Sequence, residues 1–183
     1  MMSLYKLKNL ESFAPREEGI ENTNYVIIAN KKKYILTIFE KRVKEQDLPF
    51  FCELISLLNT SGFKCPLPLL NLENSPISTF KRKKLTILTF ISGKSKENLS
   101  NENCEDIGKE AAKLHLLTSN FKIHRKNALS IESWRSMFEN IKDKCIKIHK
   151  DLPNLIEANL KDIEKNWPSN LPSGIIHADL FKD

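Results

Sequence analysis

The amino-acid sequence predicts an α+β fold, with an antiparallel β-rich region that carries one helix followed by a mainly helical region. Three observations predict it. Short runs of β-branched and aromatic residues, joined by polar turns, all lie before Gly93. One helix pattern with its own start and stop signals interrupts them. After Gly93 the apolar residues change to helical spacing.

The elements follow in order. Tyr25–Ala29 and Tyr34–Phe39 read as strands, joined at the polar turn Asn30-Lys31-Lys32. The helix begins at Asp47, an N-cap residue type, with Pro49 in the first turn where its missing N–H costs little. Leu54, Ile55 and Leu58 form its apolar face, and Gly62 stops it. Cys65-Pro66-Leu67-Pro68 reads as an extended connector. Leu85–Ile91 is a further strand, after the basic turn Lys81–Lys84. Ser100 or Asn101 caps a helix with Ile107, Ala111, Leu114 and Leu117 on one side. Ser130 opens another, with Ile131, Trp134, Phe138, Ile141, Cys145 and Ile148 along one face. Pro153 starts a third, carrying Leu155, Ile156, Leu160, Ile163 and Trp167. The apolar run Gly174-Ile175-Ile176 reads as a strand leading into His177-Ala178-Asp179.

Composition narrows the function classes. The chain has 183 residues, 40% of them hydrophobic and 28% charged, with only 5 Gly. That composition suits a globular chain and excludes collagen-like and low-complexity classes. No stretch approaches the roughly 20 apolar residues of a membrane span, and Met1–Leu10 lacks the apolar core of a secretory signal. Cys52, Cys65, Cys104 and Cys145 are widely spaced, which argues against a zinc site or a disulfide framework and for reduced thiols in the cytoplasm. The net charge of +6 allows nucleic acid, an anionic membrane or a phosphate-bearing ligand. Nucleic acid binding would call for aromatics interleaved with basic residues or for a recognition helix, and neither occurs. The basic runs Lys31–Lys33 and Lys81–Lys84 sit at hairpin tips, where lysines are solvated and blunt edge strands.

Few motifs carry chemistry. In His177-x-Asp179 the carboxylate could receive the proton of an alcohol, as in the catalytic loop of kinase-like enzymes. In those enzymes an Asn five residues after the Asp binds Mg²⁺, and here that position is 184. The alternative is a His–Asp pair that caps a turn. Gly19-Ile20-Glu21-Asn22-Thr23-Asn24-Tyr25 supplies polar side chains and exposed N–H groups that could cover phosphates, or forms a plain polar turn. Gly93-Lys94-Ser95 fails as a phosphate loop because Leu88 stands where the first Gly is needed, which leaves 91–95 as a hinge. His115, beside an apolar helix face, reads as a packed residue. No two histidines have metal-ligand spacing.

Taken together, these segments resemble the aminoglycoside phosphotransferase and choline kinase group, and within it the homoserine kinases of that type. The match is carried by Gly19–Tyr25, Tyr34–Val43, Asp47–Phe51, Cys65–Pro68, Leu114-His115, Asn127–Ser130 with Trp134-Arg135, and Gly174–Phe181, all in the family's order. The resemblance implies a protein-kinase-like two-lobed fold. Residues 1–91 would be the nucleotide-binding β-lobe, and 92–183 a truncated, mainly helical lobe that ends in the catalytic loop. The chain would then be an N-terminal fragment, inactive alone, with its metal ligands beyond residue 183.

The resemblance further implies ATP-dependent phosphorylation of the L-homoserine hydroxyl, a step of threonine biosynthesis, with Mg²⁺ as cofactor. Asp179 matches the catalytic aspartate and His177 the residue that braces its loop. Asn22, Thr23 and Asn24 match the nucleotide loop, and Thr89, Phe90 and Ile91 the adenine hinge. Thr37 stands where many relatives carry a phosphate-pairing Lys, so Lys41 or Arg42 would have to supply that charge. Arg135 could meet the substrate carboxylate or be a surface arginine. The other readings are a kinase of a different small alcohol (choline, an aminosugar or a thiosugar) and a non-catalytic basic binding module.

Overall fold

The computed structural model describes residues 2–16, 22–40, 44–94 and 96–180. Gly19, Ile20, Glu21, Lys41, Arg42, Val43, Ser95 and Phe181, all cited above, lie outside the described residues. The described chain is α+β. Five antiparallel strands, β1 (Leu10–Arg16), β2 (Asn22–Ala29), β3 (Lys32–Phe39), β4 (Ser78–Phe80) and β5 (Lys83–Thr89), form one sheet in the order β1-β2-β3-β5-β4. Helix α1 (Leu48–Thr60) lies between β3 and β4 in sequence. After β5 come α2 (Asn101–Leu117), α3 (Ile131–Glu139), α4 (Lys142–Ile148) and α5 (Leu152–Asn166). Residues 1–123 and 174–183 form one compact unit, and 124–173 a second.

Local chemistry explains most of these boundaries. Two hairpins turn on residues with positive φ, Asn30 and Lys31 at 51° and 60°, and Lys81 and Arg82 at 48° and 66°. These are the two-residue turns whose twist matches that of the strands. The second is why β5 begins at Lys83, two residues before the expected start, and it ends at Thr89 rather than Ile91. Helix α1 carries Pro49 in its first turn but makes no capping bond from Asp47. It ends in a Schellman arrangement, with Gly62 at φ +74°, Gly62 N–H donating to the Asn59 carbonyl and Phe63 N–H to that of Leu58. Ser100 caps α2 through a reciprocal box in which its hydroxyl accepts from Asn103 N–H and Asn103 Oδ1 accepts from Ser100 N–H, both at 3.3 Å.

Three expectations are corrected. Strand β1 was absent from the sequence prediction because every residue of it is exposed and it contains Pro15, so it shows no apolar alternation. The single helix expected from Ser130 to Ile148 is two helices. At Asn140 and Ile141 the ladder tightens (Ile141 N–H donates to Phe138 O at 3.0 Å) and a new one starts from the Ile141 carbonyl, which leaves Ile141 and Ile148 exposed. Residues 174–176 form no strand, since no described residue pairs with them.

The main core lies on one face of the sheet, where Ile27, Leu36, Leu85 and Ile87 pack with Tyr5 from the N-terminal segment. In the second unit Phe138, Cys145 and Leu160 pack together with Trp134 and Ile156. None of the helices among the described residues is long and apolar enough to cross a membrane.

Candidate functional site

The pleat sorts the candidate nucleotide residues. Successive side chains of a strand point to opposite faces, and the register pairs Asn22 with Phe39, Asn24 with Thr37, and Thr37 with Thr86. Asn22, Asn24 and Thr37 therefore share the face opposite the main core. The Thr37 hydroxyl donates to Asn24 Oδ1 at 2.8 Å, and Asn22 Oδ1 accepts from the Glu40 N–H at 3.4 Å. In both asparagines the carbonyl oxygen accepts, which fixes the amide orientation and makes the NH₂ group the donor end.

Helix α1 lies over this face. Between them is a cavity of about 340 Å³, lined by Asn22, Thr37, Thr86 and Leu88 from the sheet and by Phe51 and Cys52 from the helix. Burial pushes the Cys52 thiol up in pKa, and Glu53 adds to the shift. Thr37 and Thr86 are buried, and the Thr86 hydroxyl donates to the Pro76 carbonyl at 2.8 Å.

Thr23 and Thr89 fall on the core face. The Thr23 hydroxyl donates to Glu40 Oε1 at 3.0 Å, and Lys83 Nζ donates to both Glu40 oxygens at 2.8 Å. Thr89 Oγ1 accepts from the Leu67 N–H, and the Thr89 N–H donates to the Leu67 carbonyl, each at 2.9 Å. Thr89 thus pins the Cys65–Pro68 connector to the outer edge of β5. Phe90 and Ile91 follow the strand, and Lys33 Nζ stands 5.6 Å from the Phe90 ring centroid.

Asp179 lies on a segment without regular structure. Its side chain is exposed, and its N–H donates to His177 Nδ1 at 3.3 Å across Ala178, whose φ is +64°. A left-handed alanine costs about 1–2 kcal/mol, so that bend is imposed by its surroundings. Ile176, His177 and Leu180 line an apolar cavity of about 510 Å³ with Phe63, Leu114 and His115. His115 lines the same cavity that His177 borders, but it is exposed and is not the packed residue the sequence suggested.

Arg135 belongs to the second unit. Its guanidinium makes two bonds to Glu164 (2.9 and 2.7 Å) and one to Glu157 (3.1 Å). Those bonds hold both glutamate pKa values below the ordinary carboxylate range and raise that of the arginine.

The structure thus brings together Asn22, Asn24 and Thr37, and separately His177 and Asp179. The sequence reading missed the contact of Thr23, Glu40 and Lys83. Strand parity alone separates Thr23 from its two neighbours, but the partner Lys83 lies 43 residues from Glu40. Among the described residues no three His, Cys, Asp or Glu side chains are grouped to hold a metal ion.

Comparison with known proteins fits this geometry. A homoserine kinase of Mesorhizobium japonicum is 39% identical over 179 residues, covering 98% of this chain and 56% of that protein. One from Bartonella tribocorum is 36% identical over 182 residues, covering 100% and 57%. The chain therefore spans a little over half the length of these relatives. Among solved structures, a spectinomycin phosphotransferase in complex with ADP and spectinomycin superposes with a TM-score of 0.68 at 16% identity, over 99% of this chain and 61% of that one. A microcompartment-associated aminopropanol kinase gives 0.58 at 12% identity, over 84% and 57%. These likenesses establish the kinase-like fold of the aminoglycoside phosphotransferases. The model of the phosphotransferase enzyme family matches residues 12–183, from β1 through Asp179, and the chain belongs to that family.

Proposed function

We propose that this protein transfers the γ-phosphoryl group of ATP to the side-chain hydroxyl of L-homoserine, giving O-phosphohomoserine for threonine biosynthesis in the cytoplasm. The observation that carries this reading is the similarity of 36–39% over 98–100% of the chain to proteins named homoserine kinase. On this reading residues 1–91 are the nucleotide lobe and 92–183 belong to the helical lobe.

The face of Asn22, Asn24 and Thr37 suits a nucleotide. Its asparagine NH₂ groups are donors, the polarity that phosphate oxygens need, and the half-buried Phe90 past β5 offers an apolar surface to the base. Thr89 and Ile91 flank that ring, and Thr23 contributes through the main chain. Phosphoryl transfer requires mainly alignment and charge neutralisation. Asp179 orients the acceptor hydroxyl and takes its proton late, as the new P–O bond forms and the bond to ADP breaks. A free alcohol is too weak an acid to give it up earlier. His177, accepting the Asp179 N–H, braces the bend that presents the carboxylate.

Mg²⁺, when bound, neutralises phosphate charge. Its ligands are proposed, from the family resemblance alone, to lie beyond residue 183, and no step above depends on it. Arg135 directs three of its five guanidinium donors to Glu157 and Glu164, which leaves two that a substrate carboxylate could use.

The test is ATP-dependent phosphorylation by the intact protein against a panel of acceptors: L-homoserine, choline, an aminosugar and a thiosugar. Homoserine should give the highest kcat/KM by at least about tenfold, a difference of 1.4 kcal/mol. Preference for another acceptor would replace homoserine. Absence of turnover, combined with steep salt-dependent binding to nucleic acid, would reject the kinase reading.

A further inference from the structure

Thr37 stands opposite Asn24 across the β2–β3 ladder, on the face taken for the nucleotide. Directly opposed residues of an antiparallel pair bring their Cβ atoms to about 5 Å, and a β-branched side chain is stiff. The Thr37 hydroxyl donates to Asn24 Oδ1 at 2.8 Å. A threonine hydroxyl carries one proton, and here that proton is committed, so what Thr37 has left to offer a ligand is lone pairs. Lone pairs repel phosphate oxygens. Thr37 is only 9% exposed, and among the described residues that line its cavity none is charged. The hydroxyl therefore serves the amide beside it. With Oδ1 turned to Thr37, the NH₂ end of Asn24 faces the other way, and that end has the polarity a phosphate requires. Asn24 has another interaction as well, so removing the hydroxyl loosens the amide without freeing it.

We propose that Thr37 is a positioning residue, which orients the Asn24 amide toward the phosphates of the nucleotide and does not itself contact them. This inference rests on the kinase reading, but it concerns the nucleotide alone and not the acceptor.

The experiment is titration of the intact protein with MgADP by calorimetry. Thr37→Val keeps the shape and the strand preference and removes the donor, and it should weaken binding about fivefold. Thr37→Ser keeps the hydroxyl and should stay within about twofold of the parent. Asn24→Ala should weaken binding about tenfold, and the double variant Asn24→Ala with Thr37→Val no further, because Thr37 acts through Asn24. Asn24→Asp still accepts from Thr37 but has no NH₂ to donate and brings a negative charge, so it should lose at least about tenfold while its melting midpoint holds. Adenosine carries no phosphate, so its affinity, read by competition with ADP, should be the same in all five proteins and the parent.

A further loss in the double variant would show the Thr37 hydroxyl touching the nucleotide itself and would overturn the assignment. So would equal losses in Thr37→Val and Thr37→Ser, ADP affinity retained in Asn24→Asp, equal losses for ADP and adenosine, or changed melting points with unchanged affinity. Parent protein that binds no ADP would overturn both the assignment and the kinase reading. Parent protein that binds ADP but leaves homoserine unphosphorylated would count against the acceptor alone, and the ranking of affinities would still decide the role of Thr37.

Discussion

Asn24 and Thr37 meet at 2.8 Å inside a fully paired antiparallel ladder, with α1 across them. Asp179 is exposed on a segment that pairs with no described strand, and the described bond holding its backbone is to a histidine two residues away. The first arrangement is built into the fold, so its side chains cannot change without disturbing the sheet. The second presents a side chain that the sheet does not need. Binding groups and the reacting group should therefore separate cleanly under mutation, binding groups moving affinity together with stability and the reacting group moving the rate alone.

The largest effect expected is at Asp179. Asp179→Ala should lower kcat by about 10²–10⁴, with ADP affinity within about twofold and the melting midpoint unchanged. A drop in affinity or stability as large as the drop in rate would erase the distinction between the two regions.

A smaller effect belongs to the second unit, where Arg135 clamps α3 to α5. The Glu157 and Glu164 pKa values are depressed below the ordinary 4.5, so their contribution is fully present above that value and is lost as pH falls through the lower folded values. All three side chains are partly exposed, so the gain is small. Arg135→Met should lower the melting midpoint at neutral pH by at most about 2–3 °C, and the gap from the parent should close in acid below pH 4.5. A gap that widened in acid would contradict the ion-pair account. If the homoserine KM rose strongly while the midpoint held, Arg135 would instead be the carboxylate receptor.

Much of this organisation was legible in the sequence where local rules govern. Strands β2 and β3 announce themselves by β-branched runs, α1 by Pro49 and Gly62, and α2 by Ser100. Strand β1 was not legible, because an edge strand exposed along its whole length leaves no apolar signature. The break at Asn140 was hidden by apolar residues that keep helical spacing straight through it. Within the site, Asn22, Thr23 and Asn24 read as one polar cluster, and alternation sends the middle one to the other face. The Glu40–Lys83 pair depends on β3 lying beside β5, a long-range pairing that no local pattern encodes.

The account depends most on the face of Asn22, Asn24 and Thr37 being where the nucleotide rests. Amide hydrogen exchange of the intact protein with and without MgADP tests it directly. Protection should rise at 22–24 and at 89–91 and stay unchanged at the Lys81–Lys84 turn. Protection confined to that turn, or to the second unit at 124–173, would contradict it.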